Sequence, residues 1–392
     1  MDPDFGPVDD ALTAADADGY LVEADSEDAT QRYLSGFDAP DPFVTLYTPK
    51  AVRLLVSGLE YGRAQTDARA DEVKRYADYD RQRLIEEHGE RTGTAKLYAA
   101  FLAESDVDSV LVPERFPLGI ADALREEGVT VTVDTDDAVG EVRAVKTDTE
   151  VDHVRAAQAA NEVALARTEE LLGAATVDDE GRLVHDGEPL TSERVRREIE
   201  ITLLRENCAL DETIVAGGAD GADPHERGSG PLFADEPIIV DIFPQDKTTK
   251  YHGDVTRTFL VGEPSEELRQ RYNLTHEAMQ AALETVAAGV TGSAVHDAAC
   301  DVYEDAGYAT LRSDPTTETG FIHSTGHGLG LEVHESPSVA PRGGELRPGH
   351  VITIEPGLYD PEVGGVRIED TVVVTENGYR NLTDYPVELV VD

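Results

Sequence analysis

The chain has few basic residues, few cysteines and no long hydrophobic run. Its 392 residues include 33 lysines and arginines against 80 aspartates and glutamates, which gives a formal net charge of −47 at pH 7. Nucleic acids and anionic lipids are bound through basic surfaces, so this charge excludes both as partners. A membrane-spanning helix needs about 20 mostly apolar residues in succession, and because the sequence has no such run we expect no membrane span.

Cysteine is scarcer still. Cys208 and Cys300 are the two cysteines of the sequence, and their spacing matches no metal-binding motif. We therefore expect reduced thiols, as in cytoplasmic proteins. The first ten residues, MDPDFGPVDD, contain neither the basic stretch nor the apolar stretch of a secretory signal. A cytoplasmic location is the resulting expectation.

The acidic residues are spread along the whole chain instead of forming a tail. Hydrophobic residues make up 40% of the sequence, and strand and helix patterns persist, which argues against a disordered chain. A folded protein with so much dispersed negative charge needs salt to screen its self-repulsion. We interpret the composition as halophilic, that is, adapted to high salt.

Hydrophobic patterning divides the chain into two domains. Residues 1–145 read as an α/β domain, with about the first 30 residues loosely held. Its strands are predicted at 43–48, 52–57, 109–113 and 129–134, and its helices at 67–88 and 119–127. Residues 146–392 form the second domain, with helices predicted at 150–174, from Thr191 or Ser192 to 208, at 265–288 and at 293–306.

Two predicted hairpins of the second domain carry carboxylates inside apolar runs. IIVDIFPQDKTTKYHGDVTRTFLV holds Asp241 and Asp254, and HVITIEPGLYDPEVGGVRIEDTVVV holds Glu355 and Glu369. An unpaired charge in such surroundings is costly. Antiparallel pairing brings the two acids of each hairpin together, and like charges this close raise each other's pKa unless a cation lies between them. The carboxylates therefore predict a site for a pair of divalent cations.

A glycine-flanked histidine lies between the two hairpins. His327, in STGHGLGLEVHESP, offers a nitrogen ligand, and its glycine neighbours let the backbone approach closely. Because a water or hydroxide shared by two metal ions is a nucleophile near neutral pH, the pattern predicts metal-assisted hydrolysis.

Hydrolysis also needs a proton donor and a group that stabilises the oxyanion. His334, in LEVHESP, and His225, in DPHERG, are the candidates. Arg367 lies two residues before Glu369 and is a candidate partner for a substrate carboxylate or for a ligand acid. His252 and His323 are weaker candidates for supporting roles. The remaining histidines of the second domain are interpreted as surface residues: His153, His185, His276, His296 and His350.

The region from about Val142 to Val390 resembles the pita-bread metallopeptidases, a group that includes aminopeptidase P, prolidase and methionine aminopeptidase. The matching segments are PH at 224–225, the DVTRTF hairpin, GHGLGLEVHE, IEPGLY at 354–359 and VRIED at 366–370. The resemblance implies an α+β protein with a C-terminal pita-bread domain, preceded by a smaller α/β creatinase-like domain.

The resemblance also implies a role for each ligand. Asp241 would bind one metal ion, His327 and Glu355 would bind the other, and Asp254 and Glu369 would bridge both. The implied cofactors are two divalent ions of the Mn²⁺ type, with Co²⁺ and Zn²⁺ as alternatives.

The resemblance assigns substrate binding and proton handling to His225 and His334. Arg367 matches an arginine of the proline-directed branch, which implies an Xaa-Pro aminopeptidase or Xaa-Pro dipeptidase acting on peptides with proline in second position. A homodimer is the expected assembly. Phe243 departs from the glycine common at its position, and 244–250 is a small insertion, PQDKTTK. Two alternatives stay open: a metal-dependent hydrolase of a non-peptide substrate, and an inactive peptide-binding scaffold.

Overall fold

The computed structural model describes residues 3–210 and 212–391. The chain divides into two compact units between Arg143 and Ala144. Among the described residues, no helix is long and apolar enough to cross a membrane. Cys208 and Cys300 are buried free thiols.

The N-terminal unit is built on a six-stranded mixed sheet. Its strands are β1 (Gly19–Ala24), β2 (Phe43–Thr48), β3 (Ala51–Val56), β4 (Glu72–Arg75), β5 (Ser109–Pro113) and β6 (Thr130–Asp134). They lie in the order β4-β3-β2-β1-β5-β6. The three central strands pair antiparallel, and β4, β5 and β6 join in parallel. β2 lies inside the sheet and is buried along its length, including Thr45 and Thr48.

The helices of this unit cover the sheet and supply its core. They are α1 (Gly6–Ala15), α2 (Ala29–Ser35), α3 (Tyr61–Asp67), α4 (Arg81–His88), α5 (Glu90–Glu104), α6 (Leu118–Glu126) and α7 (Ala138–Ala144). α2 begins after the N-cap residue Asp28, whose side chain accepts a hydrogen bond from the Gln31 N–H. The N–H groups of the first helical turn have no partner within the helix, and an N-cap side chain supplies one. Leu97 and Phe101 of α5 pack with Val110 and Leu124.

Two expectations for this unit differ from the structure. The first 30 residues, expected to be loosely held, include α1 and β1, because Val8 and Leu12 are buried despite their polar neighbours. The continuous helix predicted over 67–88 is wrong, since α3 ends at Asp67 and β4 follows before α4 begins. β4 is an edge strand with exposed ends, so its polar sequence lacks the alternation by which a strand is recognised.

The C-terminal unit has four long helices and fifteen short strands over the described residues. The helices are α8 (Asp148–Gly173), α9 (Ser192–Arg205), α10 (Glu266–Thr285) and α11 (Gly292–Asp305). The strands are β7 (Thr176–Val177), β8 (Leu183–His185), β9 (Glu188–Pro189), β10 (Cys208–Ala209), β11 (Thr213–Gly217), β12 (Ile238–Ile242), β13 (Gln245–Asp246), β14 (Val255–Phe259), β15 (Gly326–Gly328), β16 (Glu335–Val339), β17 (Val351–Ile354), β18 (Gly357–Asp360), β19 (Gly364–Arg367), β20 (Asp370–Thr375) and β21 (Gly378–Asn381).

This unit has two halves, each with a helix pair packed on a sheet. α8 and α9 pack with the sheet β11-β12-β14, and α10 and α11 pack with the sheet β16-β15-β17-β20-β21. α8 starts in a capping box, in which the Thr147 side chain accepts from the Glu150 N–H and the Glu150 carboxylate accepts from the Thr147 N–H. At the start of α9 the Thr191 side chain accepts a hydrogen bond from the Arg194 N–H, and Thr191 is one of the two predicted cap residues.

Threonine hydroxyls join the two halves. The Thr258 hydroxyl donates to the Arg367 carbonyl at 2.8 Å and accepts from the Arg367 N–H at 3.0 Å. The Thr371 hydroxyl donates to the Asp254 carbonyl at 2.9 Å. We refer to this line as the threonine seam, formed by Thr256, Thr258 and Thr371. Side-chain bonds thus connect β14 to the segment 367–371, which sets the carboxylates of both halves beside one another.

Candidate metal centre

The first two carboxylates are positioned by β12 and β14. The strands pair antiparallel with Asp241 opposite Thr256, and Asp254 directly precedes β14. Asp241 therefore lies close to the start of the returning strand, and both carboxylates line one cleft. The side chains of Asp241 and Asp254 are 13% and 5% exposed.

The other two carboxylates flank the pairing of β17 with β20. Ile354 is opposite Asp370, so Glu355 directly follows one strand and Glu369 directly precedes the other. The sequence predicted one hairpin here, but the structure inserts a second strand pair, β18 with β19, between them. The prediction of a simple hairpin was therefore incomplete, although the two glutamates border the same cleft as Asp241 and Asp254.

His327 lies on β15, between β16 and β17. The strand approaches its neighbour so closely that a Cβ on Gly326 would lie 1.9 Å from the Thr353 carbonyl oxygen, which only glycine permits. His327 Nδ1 lies 3.1 Å from the Gly328 carbonyl oxygen, so Nδ1 carries a proton. Nε2 is left facing the carboxylates, 3.1 Å from Glu355 Oε1 and 3.8 Å from Asp254 Oδ2.

The residues fit a metal centre by two independent observations. One ligand atom from each of Asp254, His327 and Glu369 lies within 4.8 Å of the others. Among the described residues, Asp241 Oδ1 and Glu369 Oε1 are buried without a hydrogen-bond partner. Buried polar atoms of this kind are costly unless satisfied, and oxygen ligands of carboxylates are what hard divalent cations prefer.

The pKa shifts of the clustered carboxylates also favour a bound cation. Burial, followed by the charges of Glu369 and Asp241, raises the pKa of Asp254 well above its usual range. Burial and the charges of Glu355 and Asp241 do the same to the pKa of Glu369. Burial opposes ionisation of Glu355 as well, but the hydrogen bond and charge of His327 lower its pKa to about 2. A cation at this position would relieve the repulsion.

Arg367 is fully engaged by the protein. Its Nη2 donates to Asp241 Oδ2 at 2.6 Å, its Nη1 to the Tyr359 hydroxyl at 2.8 Å and its Nε to the Thr256 hydroxyl at 3.2 Å. The residue is 3% exposed. Of the two partners considered from the sequence, the structure therefore shows the ligand acid, Asp241.

A buried relay that sequence reasoning missed continues behind Arg367. His323 Nδ1 lies 2.7 Å from the Ser324 carbonyl oxygen, and His323 Nε2 lies 2.8 Å from the Tyr359 hydroxyl. A carbonyl only accepts, so Nδ1 is protonated and Nε2 accepts from Tyr359. Burial lowers the pKa of His323 to about 4 and raises that of Tyr359 to about 12. The Tyr359 hydroxyl therefore accepts a hydrogen bond from Arg367 and donates one to Nε2 of a neutral His323.

The cleft itself has a volume of about 860 Å³. His334 lies at its wall, with its ring centroid 4.3 Å from that of His327 in an edge-to-face contact. His225, on an exposed loop, also borders it. The structure thus brings all eight predicted residues to one cleft: His225, Asp241, Asp254, His327, His334, Glu355, Arg367 and Glu369. Its apolar wall includes Ile214, Phe243, Ile322 and Val333.

Two of the histidines interpreted as surface residues are buried. His296 is 3% exposed, and its Nδ1 lies 2.8 Å from the Thr325 hydroxyl. His350 is 2% exposed and lies against Arg347. His296 could have been recognised, because the buried residues Ala299, Cys300 and Tyr303 follow it at the three-, four- and seven-residue spacing of a helix face.

The fold and this cleft are those of a metal-dependent peptidase. The model of metallopeptidase family M24 matches residues 152–376, and that of the Creatinase/Prolidase N-terminal domain matches residues 7–145. The chain belongs to metallopeptidase family M24. The resemblance drawn from the motifs is confirmed, and so is the predicted fold class.

Relatives and solved structures agree with this assignment. An Xaa-Pro dipeptidase of Pyrococcus furiosus is 39% identical over 181 residues, which cover 46% of this chain and 49% of the relative. A probable dipeptidase, PepE, of Mycobacterium tuberculosis is 41% identical over 179 residues, 45% of each chain. The matched region thus spans about half the length of these curated relatives.

Similarity of structure extends over the whole chain. The prolidase of Pyrococcus horikoshii superposes with a TM-score of 0.79 at 26% identity, covering 98% of this chain and 99% of the other. An Xaa-Pro dipeptidase of Bacillus anthracis gives a TM-score of 0.81 at 25% identity, covering 98% of both chains.

Proposed function

We propose that the protein is a two-metal peptidase that hydrolyses the bond between an amino-terminal residue and a following proline, in dipeptides or in longer peptides. The observation that carries the proposal is the convergence of four carboxylates and His327 on one cleft, with Asp241 Oδ1 and Glu369 Oε1 left without protein partners. The proline preference rests on Arg367 and on the similarity to Xaa-Pro dipeptidases.

The ligands divide between the two ions as follows. Asp241 would hold one ion, His327 and Glu355 would hold the other, and Asp254 and Glu369 would be shared between them. When bound, the ions supply an activated water or hydroxide and polarise the scissile carbonyl. The mainly carboxylate shell suits Mn²⁺, and Co²⁺ and Zn²⁺ accept the same ligands.

The remaining residues orient the ligands and handle protons. Arg367 fixes the Asp241 carboxylate, so that one oxygen is bonded and the other is free for an ion. Burial and the neighbouring charge of His327 lower the pKa of His334, so its ring is available to take up a proton at its free nitrogen, as from the attacking water, and to pass that proton on to the departing amine. His225, on its exposed loop, contacts the substrate.

The test is a peptide assay combined with metal analysis of the same sample. Purified protein in molar salt is incubated with Mn²⁺ and with Xaa-Pro dipeptides, longer Xaa-Pro peptides and Xaa-Ala controls. We expect release of the first residue from the proline peptides, its loss on chelation, and two metal ions per chain. Absence of chelator-sensitive release contradicts the proposal.

The same experiment separates the two alternatives. Two metal ions without peptide turnover would indicate a hydrolase of a non-peptide substrate, and a chain that retains no metal would indicate a binding scaffold. We also propose a cytoplasmic homodimer. The mass of the particle in molar salt, measured by light scattering, tests the dimer.

A further inference from the structure

A buried ion pair lies directly behind the loop that carries His334. The Lys146 ammonium contacts a Glu335 carboxylate oxygen, and the two side chains are 1% and 6% exposed. Two charges removed from water to this degree cost more in desolvation than an apolar pair of the same size. A buried pair of this kind is weak evidence for stability, so its presence calls for another explanation.

Lys146 is held firmly on its own side. It lies between α7 and α8, and its backbone N–H donates to the Gly349 carbonyl at 2.9 Å. The preceding residue, Val145, forms a bridge with His350. The backbone that carries the Lys146 ammonium is therefore fixed. The ammonium in turn holds the Glu335 carboxylate and, with it, the loop to which Glu335 belongs.

Glu335 in turn organises the loop from Leu329 to His334. Its carboxylate packs against the loop backbone so tightly that a Cβ on Gly330 would lie 2.3 Å from Glu335 Oε1. Its other oxygen lies 3.5 Å from the Glu332 backbone nitrogen. At the opposite end of the loop the His252 N–H donates to the Gly330 carbonyl at 2.8 Å. The carboxylate thus occupies the inside of the turn.

His334 depends on this loop for its orientation. Within residues 3–210 and 212–391, no hydrogen bond reaches its ring, which is placed by its contact with His327 and by the backbone that carries it. Glu335, the next residue, opens β16 opposite Gly328. The backbone position of His334 consequently depends on the next residue, Glu335, which Lys146 holds in place.

We propose that Lys146 is a positioning residue for His334, acting through Glu335 to hold the ring at the wall of the cleft. The kinetic part of this inference rests on the proposed function, whereas the placement of the ring does not. Lys146 itself touches neither the cleft nor the ligands in the contacts described, so its effect is on geometry alone.

The variants that test this are Lys146→Met, Lys146→Arg, Glu335→Gln and the double variant Lys146→Met/Glu335→Met. Displacement of a catalytic group by about 1 Å can cost about 100-fold in rate. We expect kcat of Lys146→Met to fall by about 10- to 100-fold with little change in KM, the signature of a lost transition-state interaction. Lys146→Arg, which keeps the charge, should recover part of the loss. Exposed Lys50 provides the control Lys50→Met, expected to match the wild type.

The double variant distinguishes positioning from folding. It removes both members of the Lys146–Glu335 pair, so its thermal unfolding should be closer to that of the wild type than that of either single variant is, while kcat stays low. Wild-type kcat in the double variant would overturn the inference. So would a loss of activity in Lys146→Met that is fully matched by loss of folded protein or of bound metal.

A second measurement does not depend on turnover. Diethyl pyrocarbonate modifies exposed neutral imidazoles, and its rate at His334 is followed by peptide mass spectrometry on metal-free protein, with exposed His88 as internal reference. We expect the rate at His334 to change in Lys146→Met and to be preserved in Lys50→Met. An unchanged rate at His334 overturns the inference. If the wild type cleaves no Xaa-Pro peptide, the proposed function fails while this labelling still decides the role of Lys146.

Discussion

Replacement of Arg367 by methionine should destabilise the C-terminal unit strongly even without metal. The change removes the ion-pair partner of Asp241 Oδ2 and leaves a buried carboxylate whose Oδ1 already lacks a hydrogen-bond partner. Breaking a buried, hydrogen-bonded ion pair from one side costs about 3–5 kcal/mol. For a unit of this size, each kcal/mol lowers Tm by about 2–4 °C, so the expected decrease is about 6–20 °C.

Thermal unfolding followed by circular dichroism, in molar salt with a chelator present, measures this decrease without any contribution from bound ions. Arg380→Met is the matched control, because Arg380 is exposed on β21 and its loss should change Tm by about 1–2 °C at most. Arg367→Lys should also fail to restore stability, because one ammonium cannot reproduce the planar fork that joins Asp241 and Tyr359. A decrease in Tm no larger than that of Arg380→Met would refute the reasoning.

Three further outcomes are expected. Glu369→Ala should abolish metal retention, measured by elemental analysis, and turnover with it; an active, metal-loaded variant would disprove the ligand assignment, and exposed Glu376→Ala is its control. Gly326→Ala should lower metal content because its Cβ would meet the Thr353 carbonyl oxygen at 1.9 Å, whereas Gly344→Ala, with nothing within 4 Å, should retain the metal. Lowering sodium chloride from molar to about 0.1 M lengthens the range of charge repulsion from about 3 Å to about 10 Å and should lower Tm, because 80 acidic residues outnumber 33 basic ones; an unchanged Tm would contradict the halophilic interpretation.

The parts of the structure that could be predicted are those governed by local patterns. The cap at Thr191 correctly predicted the start of α9. The two strands predicted around the first acid pair, β12 and β14, do pair antiparallel, and Asp241 and Asp254 line the same cleft. Both features depend on residues close together in sequence. The motif that carries His327 was recognisable for the same reason.

The features that could not be predicted depend on partners far away in the chain. The burial of His296 was recognisable from its helix face, but the Thr325 hydroxyl that lies 2.8 Å from its Nδ1 is 29 residues further on. The Tyr359 relay needs His323, 36 residues before it, and the ion pair of Lys146 with Glu335 joins residues 189 apart. Single-sequence patterns carry no signal for such pairs, since the physical reason for each lies in the partner and not in the neighbours.

The threonine seam has a consequence for how the protein acquires its ions. The proposed ligands come from both sides of the seam, so neither half alone contains the complete set. The Thr256 hydroxyl even crosses it to donate to Glu369 Oε2 at 2.9 Å. On the proposed ligand assignment, we therefore expect metal to be captured late in folding, because a chain whose halves have not yet docked offers an incomplete set of ligands. Metal loading, measured during refolding, would in this way report the completion of the tertiary structure.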